Sequence, residues 1–343
     1  MRAVSASPTS TPPRHRLAGR RCRWLAVLAA VLTLPAPAAD PPALPAPATF
    51  RFESQRQSLA MSYLDIAPAA PAKGRTAVLL HGKNFCAGYW QDTAATLAGH
   101  GFRVIVPEQI GFCGSDKPER YQFSLHQLAA NTQALLDRLG IERAELVGHS
   151  MGGMLALRFA LLYPQRTARL VLVNPIGLED WKAKGAPYRT IDAAYAAELK
   201  SSYESIARYQ RANYYDGDWT PAYEALARQL AAVYAGPDGK AYAWNAALTA
   251  DMIYTQPVVH EFERIAVPTT LIIGQRDRTA IGREGAPKAV ADALGDYPAL
   301  GRDAARRIPG ARLIELPGLG HLPQIEAPDR FRAELLKAFE LAR

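Results

Sequence analysis

The sequence has no long apolar run, no internal repeat and no strong compositional bias. Of its 343 residues, 49% are hydrophobic and 21% are charged, which is ordinary for a globular protein and excludes a collagen-like, coiled-coil or wholly disordered chain. The uncharged stretch WLAVLAAVLTL at residues 24–34 has eleven residues, whereas a helix that crosses a bilayer needs about 20. This stretch is therefore too short to span a membrane.

The N-terminal segment also lacks acidic residues. Residues 1–39 contain six arginines, the apolar stretch, and then the small residues of PAPAA. This order of a basic, an apolar and a small-residue region is typical of a secretory signal peptide. We expect cleavage after Ala38 or Ala39 and a periplasmic or secreted protein; a short buried helix is the alternative. Arg20 and Arg21 leave both the general and the twin-arginine export route open.

The net charge is much lower without residues 1–39, which we call the leader. The whole chain has a formal charge of +8, but without residues 1–39 it has 34 basic and 32 acidic residues. The charge therefore gives no reason to expect nucleic acid as a partner, and we expect no stable membrane insertion after signal removal. Residues 40–49 are rich in proline and alanine, which predicts an extended linker.

Apolar strands alternate with helices over residues 50–175 and 263–343. The first two strand segments, FRFESQ and LAMSYLDI, predict an antiparallel pair, and leucines at helical spacing predict a helix at 124–139 with Ser124 as its N-cap. This alternation predicts an α/β fold, a mostly parallel, doubly wound sheet with helices on both faces. Further strands are predicted at 76–80, 102–107, 144–148, 170–173, 269–274 and 312–316.

Residues 176–262 interrupt the alternation. The segment has no strong strand signal and is rich in tyrosine and tryptophan, so we interpret it as a helical cap inserted between two strands. Most of its aromatic residues are expected to serve packing, but some must line a pocket beneath the cap. The prediction is therefore a small, mainly apolar substrate.

A serine flanked by glycines is the first candidate for catalysis. The sequence ELVGHSMGGML places Ser150 between Gly148 and Gly152, after a predicted strand and before a predicted helix. This context is typical of a nucleophile elbow, in which a tight, strained turn raises the serine hydroxyl above the sheet. The N–H of Met151 would then lie at a helix N-terminus and stabilise an oxyanion. A hydroxyl that only occupies a glycine-rich turn is the alternative.

A serine nucleophile needs a base and an orienting carboxylate. His321 lies in the loop GLGHLPQIEAP after the last predicted strand, at the sheet edge from which it could reach Ser150. Asp277 also follows a strand, and the order serine, aspartate, histidine is a known order for such triads. A simple turn aspartate is the alternative for Asp277. Asp180 is a more distant rival, because the other usual acid position holds Asn174.

The loop HGKNFCAGYW follows the first predicted parallel strand. Its position predicts the second oxyanion donor, and the backbone N–H of Lys83, directly after His-Gly, is the best candidate.

Five motifs in order carry a resemblance to a known family. They are LLHG, PEQIGFCGSDKP, GHSMGG, GQRDRTA and GLGHLPQIEAP. Over roughly residues 50–343 the sequence resembles the α/β-hydrolase superfamily, and GFCGSDKP is similar to the branch with haloalkane dehalogenases, epoxide hydrolases, carbon–carbon bond hydrolases and small esterases. Ser150 stands where dehalogenases and epoxide hydrolases carry aspartate. The resemblance implies the α/β-hydrolase fold and a serine hydrolase with a helical cap and no metal or organic cofactor.

Three functions remain open on this basis. The leading one is a carboxylesterase-like hydrolase that cleaves an ester or related acyl bond through Ser150, His321 and Asp277. The second is a carbon–carbon hydrolase of the meta-cleavage type, in which the side chain of Lys83 or a cap arginine would bind a substrate carboxylate; for the Lys83 side chain itself we rather expect a solvated position at the surface. The third is a non-catalytic binding protein on the same scaffold.

Cys86 and Cys113 are the cysteines that remain when the leader, with Cys22, is removed. The resemblance implies that they follow neighbouring strands, so both loops would emerge at the same sheet edge. Export would permit a disulfide between them; two free buried thiols are the alternative.

Overall fold

The structure is a computed structural model, and it describes residues 44–340. The predicted signal peptide 1–39 and the first four residues of the predicted linker 40–49 lie outside the described residues. Eight strands form one sheet in the order β1-β2-β4-β3-β5-β6-β7-β8. The strands are β1 (Ala48–Ser54), β2 (Gln57–Ile66), β3 (Arg75–Leu80), β4 (Phe102–Pro107), β5 (Ala144–His149), β6 (Thr167–Val173), β7 (Thr269–Gly274) and β8 (Arg312–Leu316).

The sheet is antiparallel at one edge and parallel elsewhere. β1 pairs with β2, and β2 with β4, in antiparallel register, whereas the remaining neighbours are parallel. This confirms the predicted opening pair and the mostly parallel sheet. Every residue of β5 and β7 is buried, because helices cover both faces of a parallel sheet and its central strands are therefore mainly apolar.

Two hydrophobic cores lie on the two faces of the sheet. Successive residues of a strand point to opposite faces, so Leu80 packs in one core with Leu157 of the helix after β5, and Leu79 packs in the other with Leu335 near the C-terminus. The helices are α1 (Gln91–Gly99), α2 (Leu125–Arg138), α3 (Met151–Leu162), α4 (Ile191–Glu198), α5 (Tyr203–Asn213), α6 (Pro221–Ala235), α7 (Gly239–Thr255), α8 (Lys288–Ala293), α9 (Tyr297–Arg307), α10 (Pro323–Glu326) and α11 (Pro328–Ala338).

Local sequence signals explain several helix boundaries. Ser124 has an extended backbone and its hydroxyl accepts a hydrogen bond from the Gln127 N–H at 3.0 Å, which makes it the N-cap of α2 as predicted. Pro164 follows Tyr163, the C-cap of α3, where proline cannot continue a helix. The sequence reasoning did not identify α8 and α9, which lie between β7 and β8.

Helices α4 to α7 all lie between β6 and β7 in the chain. The described residues 176–262, here called the helical insertion, contain no strand. Ile206, Leu230 and Tyr242 of the insertion belong to the same core as Leu80 and Leu157, so the insertion is packed against the rest of the molecule. Among the described residues, no helix combines the length and the apolar character that a membrane crossing requires.

Candidate active site

Ser150 lies in a tight turn between β5 and α3. Its backbone has φ 57° and ψ −122°, a region that costs a non-glycine residue about 1–3 kcal/mol. The flanking glycines are required by close packing. A Cβ on Gly148 would lie 2.3 Å from the Gly152 carbonyl oxygen, and one on Gly152 would lie 2.1 Å from the Leu80 carbonyl oxygen. The turn therefore holds Ser150 at the C-terminal edge of the sheet, and the serine lines a large cavity.

His321 and Asp277 are paired in the buried loops after β8 and β7. The His321 Nδ1 lies 2.6 Å from the Asp277 Oδ2, and both side chains are fully buried. Because a carboxylate at this distance accepts the Nδ1 proton, the Nε2 is left as the basic atom. That Nε2 is buried and has no hydrogen-bond partner among residues 44–340. The pair therefore presents a free base nitrogen.

Asn174 supports this pair from the end of β6. Its Nδ2 donates to the Asp277 Oδ2 at 2.8 Å, and its Oδ1 accepts from the Gly274 N–H at 2.9 Å. The Thr279 N–H donates to the other carboxylate oxygen at 2.8 Å. Sequence reasoning treated Asn174 only as a residue that cannot be the acid. The structure shows that this amide holds the Asp277 carboxylate in place.

The rival Asp180 lies away from the histidine loop. Its Oδ2 is 2.9 Å from the Nε2 of His260, whose side chain is 63% exposed, and its Oδ1 accepts the N–H groups of Lys182 and Ala183. Asp180 is thus a largely covered turn aspartate with partners of its own, and the structure does not bring it to His321.

His149, inside the elbow, connects the loop of His321 with the loop after β3. Its Nε2 lies 2.9 Å from the His321 carbonyl oxygen and its Nδ1 lies 3.1 Å from the Tyr89 hydroxyl, which accepts the Gly82 N–H at 3.2 Å. Burial, and next the nearby His321, hold the pKa of His149 well below its usual value, so the ring is neutral. A carbonyl only accepts, so His149 donates from Nε2 and Tyr89 donates to Nδ1. Sequence reasoning missed this link, and the sequence has no signal for Tyr89.

The loop after β3 lies directly against the elbow. A Cβ on Gly82 would be 3.1 Å from the Ser150 Cβ. His81 connects this loop to the residues after β4, because its Nε2 accepts the Gln109 N–H at 3.0 Å. Neither the Lys83 N–H nor the Met151 N–H makes a hydrogen bond within residues 44–340. Both predicted oxyanion donors are therefore free.

The structure joins Cys86 and Cys113 by a disulfide with a Cα–Cα distance of 5.7 Å. Glu108 reinforces the same link, since its two oxygens accept the Ala87 N–H at 3.0 Å and the Gly114 N–H at 2.8 Å. Cys86, Glu108 and Cys113 are also the one group among the described residues that is close enough to hold a metal ion. With the sulfurs bonded to each other, the group supplies no thiolate ligand.

Glu326 binds the backbone of the two residues that flank His321. Its two carboxylate oxygens accept the Gly320 N–H at 2.8 Å and the Leu322 N–H at 3.0 Å. Burial raises the pKa of Glu326 to about 7, although these two hydrogen bonds favour the charged form. Sequence reasoning did not single out this acid, five residues after the histidine in GHLPQIEAP.

Tyr214, which follows α5, connects the helical insertion to this loop. Its ring stacks on the His321 ring with centroids 4.5 Å apart, and its carbonyl oxygen accepts the His321 N–H at 2.8 Å. Its hydroxyl accepts from the Asn84 side chain at 2.8 Å, next to Lys83. One residue of the insertion thus contacts both the loop of His321 and the loop of Lys83.

The cavity above Ser150 has a volume of about 1080 Å³, and residues of both the sheet edge and the insertion line it. The Lys83 side chain lies in this lining, 15% exposed, and pairs with Glu198 at 2.7 Å. The expectation of a solvated Lys83 side chain was therefore wrong, because the insertion covers it. Tyrosines of the lining are Tyr188, Tyr209, Tyr214, Tyr234 and Tyr254.

Comparisons with known proteins show the family of the chain. The profile of the alpha/beta hydrolase fold family matches residues 77–328, and the chain belongs to that family. A crystal structure of a probable hydrolytic enzyme from Pseudomonas aeruginosa PAO1 is 55% identical, with a TM-score of 0.84 over 85% of this chain and 94% of that one.

Two curated relatives are more distant. "Putative carbamate hydrolase RutD" of Pantoea ananatis is 26% identical over 77% of this chain and 88% of its own length. A 2-hydroxy-6-oxo-6-phenylhexa-2,4-dienoate hydrolase of Comamonas testosteroni is 33% identical, but the match covers only 42% of this chain and 51% of that protein. The chain is accordingly a hydrolase of the α/β-hydrolase family, similar to proteins named as a putative carbamate hydrolase and as a dienoate hydrolase.

Proposed function

We propose that the protein is an exported serine hydrolase that cleaves an ester or related acyl bond of a small, mainly apolar substrate. The observation that carries the proposal is the combination of the strained Ser150 on the cavity wall with a buried His321–Asp277 pair whose Nε2 is free. Such an arrangement supplies a nucleophile, a base and an orienting acid. A purely binding protein would have no need for this free base.

The reaction follows the order in which these groups can act. The Ser150 hydroxyl attacks the carbonyl carbon while the His321 Nε2 accepts its proton, and the N–H groups of Lys83 and Met151 donate to the oxyanion. His321 then protonates the leaving alcohol, which departs and leaves an acyl-enzyme. Water attacks this ester with His321 again as base, the acid is released, and the serine hydroxyl is restored. Asp277 stabilises the imidazolium in both halves.

Carbon–carbon cleavage of a vinylogous diketone is the second candidate. The similarity to the dienoate hydrolase favours it, although that similarity covers about half of either chain. The same triad would catalyse this reaction. However, Lys83, which would have to bind a substrate carboxylate, is already paired with Glu198. This pairing favours the ester hydrolase.

We also propose that residues 1–39 direct export to the periplasm or beyond and that residues 176–262 act as a cap over the active site. The arginines and the apolar stretch of the N-terminus support export. The cavity lining drawn from α4, α5 and α7 supports the cap. A small molecule is the expected partner, and no nucleic acid.

A serine-reactive phosphonate probe and a substrate panel test the proposal together. We expect the probe to label Ser150 and expect p-nitrophenyl esters of rising chain length to be hydrolysed faster than a meta-cleavage diketone. Ser150→Ala should remain folded by circular dichroism and lose labelling and turnover, by about 10⁴-fold or more. Labelling at another residue, or a Ser150→Ala protein with most of its activity, would refute the assignment.

A further inference from the structure

An ion pair is built into the wall of the active-site cavity. The Lys83 Nζ lies 2.7 Å from the Glu198 Oε1, and the side chains are only 15% and 18% exposed. The Tyr234 hydroxyl donates to the second oxygen of Glu198. All three residues line the cavity that contains Ser150, so the pair faces the space that a substrate would occupy.

The pair carries no net charge at neutral pH. Burial alone would raise the pKa of Glu198, but the charge of Lys83 and the hydrogen bonds from Lys83 and Tyr234 hold it below its usual value. Glu198 is therefore a carboxylate, and it compensates the ammonium beside it.

Lys83 nevertheless keeps hydrogen-bond donors for a ligand. An ammonium has three N–H groups, and the bond to Glu198 is the one that Lys83 Nζ makes within residues 44–340. The ammonium belongs to the same residue as the predicted oxyanion N–H, so it lies within one side-chain length of the reacting carbonyl. A substrate oxygen near the scissile bond can accept from it.

The other charged residues of the lining are exposed or engaged elsewhere. Lys200 and Arg189 are exposed. The engaged groups are Arg189 with Glu284 at 3.4 Å, Asp251 with the Tyr188 hydroxyl at 2.9 Å, and Arg283 with the Leu294 carbonyl oxygen.

We propose that Lys83 and Glu198 form a charge-compensated specificity site that binds an uncharged oxygen of the substrate, such as a second ester carbonyl, a lactone carbonyl or a hydroxyl, and disfavours a carboxylate there. A neutral oxygen accepts an N–H from Lys83 at no electrostatic cost. A carboxylate at the same point is attracted by Lys83 but repelled by Glu198, and it must also lose its hydration. The proposal rests on the proposed ester hydrolysis.

A matched pair of substrates tests the selectivity. Two p-nitrophenyl esters with acyl chains of equal length would end in a methyl ester in one case and in a free carboxylate in the other. We expect the wild type to prefer the neutral ester in kcat/KM. Glu198→Gln should shift the ratio by about tenfold toward the anionic ester, because it leaves the Lys83 charge uncompensated. Lys83→Met should shift the ratio the opposite way, because Glu198 then stands alone.

Glu224→Gln is the matched control. Glu224 is exposed, pairs with Arg228 on α6 and does not line the cavity, so the same change of charge should leave the ratio as in the wild type. An unchanged ratio in Glu198→Gln, or an equal shift in Glu224→Gln, would overturn the proposal.

A binding measurement separates this proposal from the reaction itself. The affinities of the same two esters for Ser150→Ala protein, with and without Glu198→Gln, do not depend on turnover. If the wild type hydrolyses neither ester, the proposed reaction fails. If Glu198→Gln leaves the affinity ratio unchanged, the specificity site fails, whatever the result for turnover.

Discussion

The two sides of the active-site cavity are held by different kinds of interaction. On the sheet side, Ser150 is fixed by a strained turn and by glycine contacts too close for any side chain, and the loops of Lys83 and His321 are held by hydrogen bonds to backbone N–H groups and by a disulfide. On the insertion side, the contacts with these loops are mostly between side chains, as in Lys83–Glu198 and Asn84–Tyr214.

The two kinds of interaction suit the different requirements of the sheet side and the insertion side. Catalytic groups must stay within a fraction of an ångström of their working geometry, and backbone and covalent constraints provide that precision. Side-chain contacts can break and re-form, so they suit a surface that must admit a substrate. We therefore expect changes on the sheet side to cost rate or stability, and changes on the insertion side to alter selectivity or to cost little.

The largest effect is expected at Asp277. Asp277→Asn should lower kcat by about 10⁴-fold, because an amide that donates to His321 favours the wrong imidazole tautomer. Esterase kinetics at saturating substrate would measure the loss. Asp180→Asn is the control on the insertion side, and we expect it to keep most of the activity, because Asp180 pairs with the exposed His260. The reverse ranking would move the acid to the insertion side.

The sequence predicted the parts of the site that local patterns specify. The elbow follows from glycines at fixed spacing, and His321 and Asp277 follow from loops after strands, because the carboxyl ends of parallel strands meet at one edge. The central strands β3 to β7 could be predicted because buried parallel strands read as short apolar runs, whereas β1 and β2 were predicted as an antiparallel pair.

The sequence could not predict the contacts that depend on three-dimensional packing. Nothing local connects Tyr89 with His149, or Lys83 with Glu198 at a separation of 115 residues. The expectation that Lys83 is solvated failed because the path of the insertion over its side chain has no sequence pattern. Asn174 was rejected as an acid from its type alone, but its supporting role requires knowledge of which atoms face Asp277.

An intermediate effect is expected at the disulfide on the sheet side. The bond closes a loop between residues 27 apart, and its loss by Cys86→Ser with Cys113→Ser should lower the free energy of unfolding by about 3.5 kcal/mol in the chain-entropy model. Urea unfolding would measure this. Activity should fall as well, because the loop of Lys83 loses its covalent anchor and is then held by hydrogen bonds and an ion pair alone. Two titratable thiols in denatured, unreduced protein from the periplasm would show that the bond does not form in the cell.

The smallest effect is expected at the Tyr214 hydroxyl on the insertion side. Tyr214→Phe removes the hydrogen bond from Asn84 but keeps the ring on His321 and the carbonyl that accepts the His321 N–H. One lost neutral hydrogen bond is worth about 1 kcal/mol, so kcat/KM should fall only about fivefold. Tyr214→Ala also removes the stacked ring and should cost clearly more. Tyr195→Phe is the control, because Tyr195 lies in the insertion outside the cavity lining and should behave as the wild type. If Tyr214→Phe lost activity as severely as Asp277→Asn, the insertion would share the catalytic role of the sheet side, and the division between the two sides would be wrong.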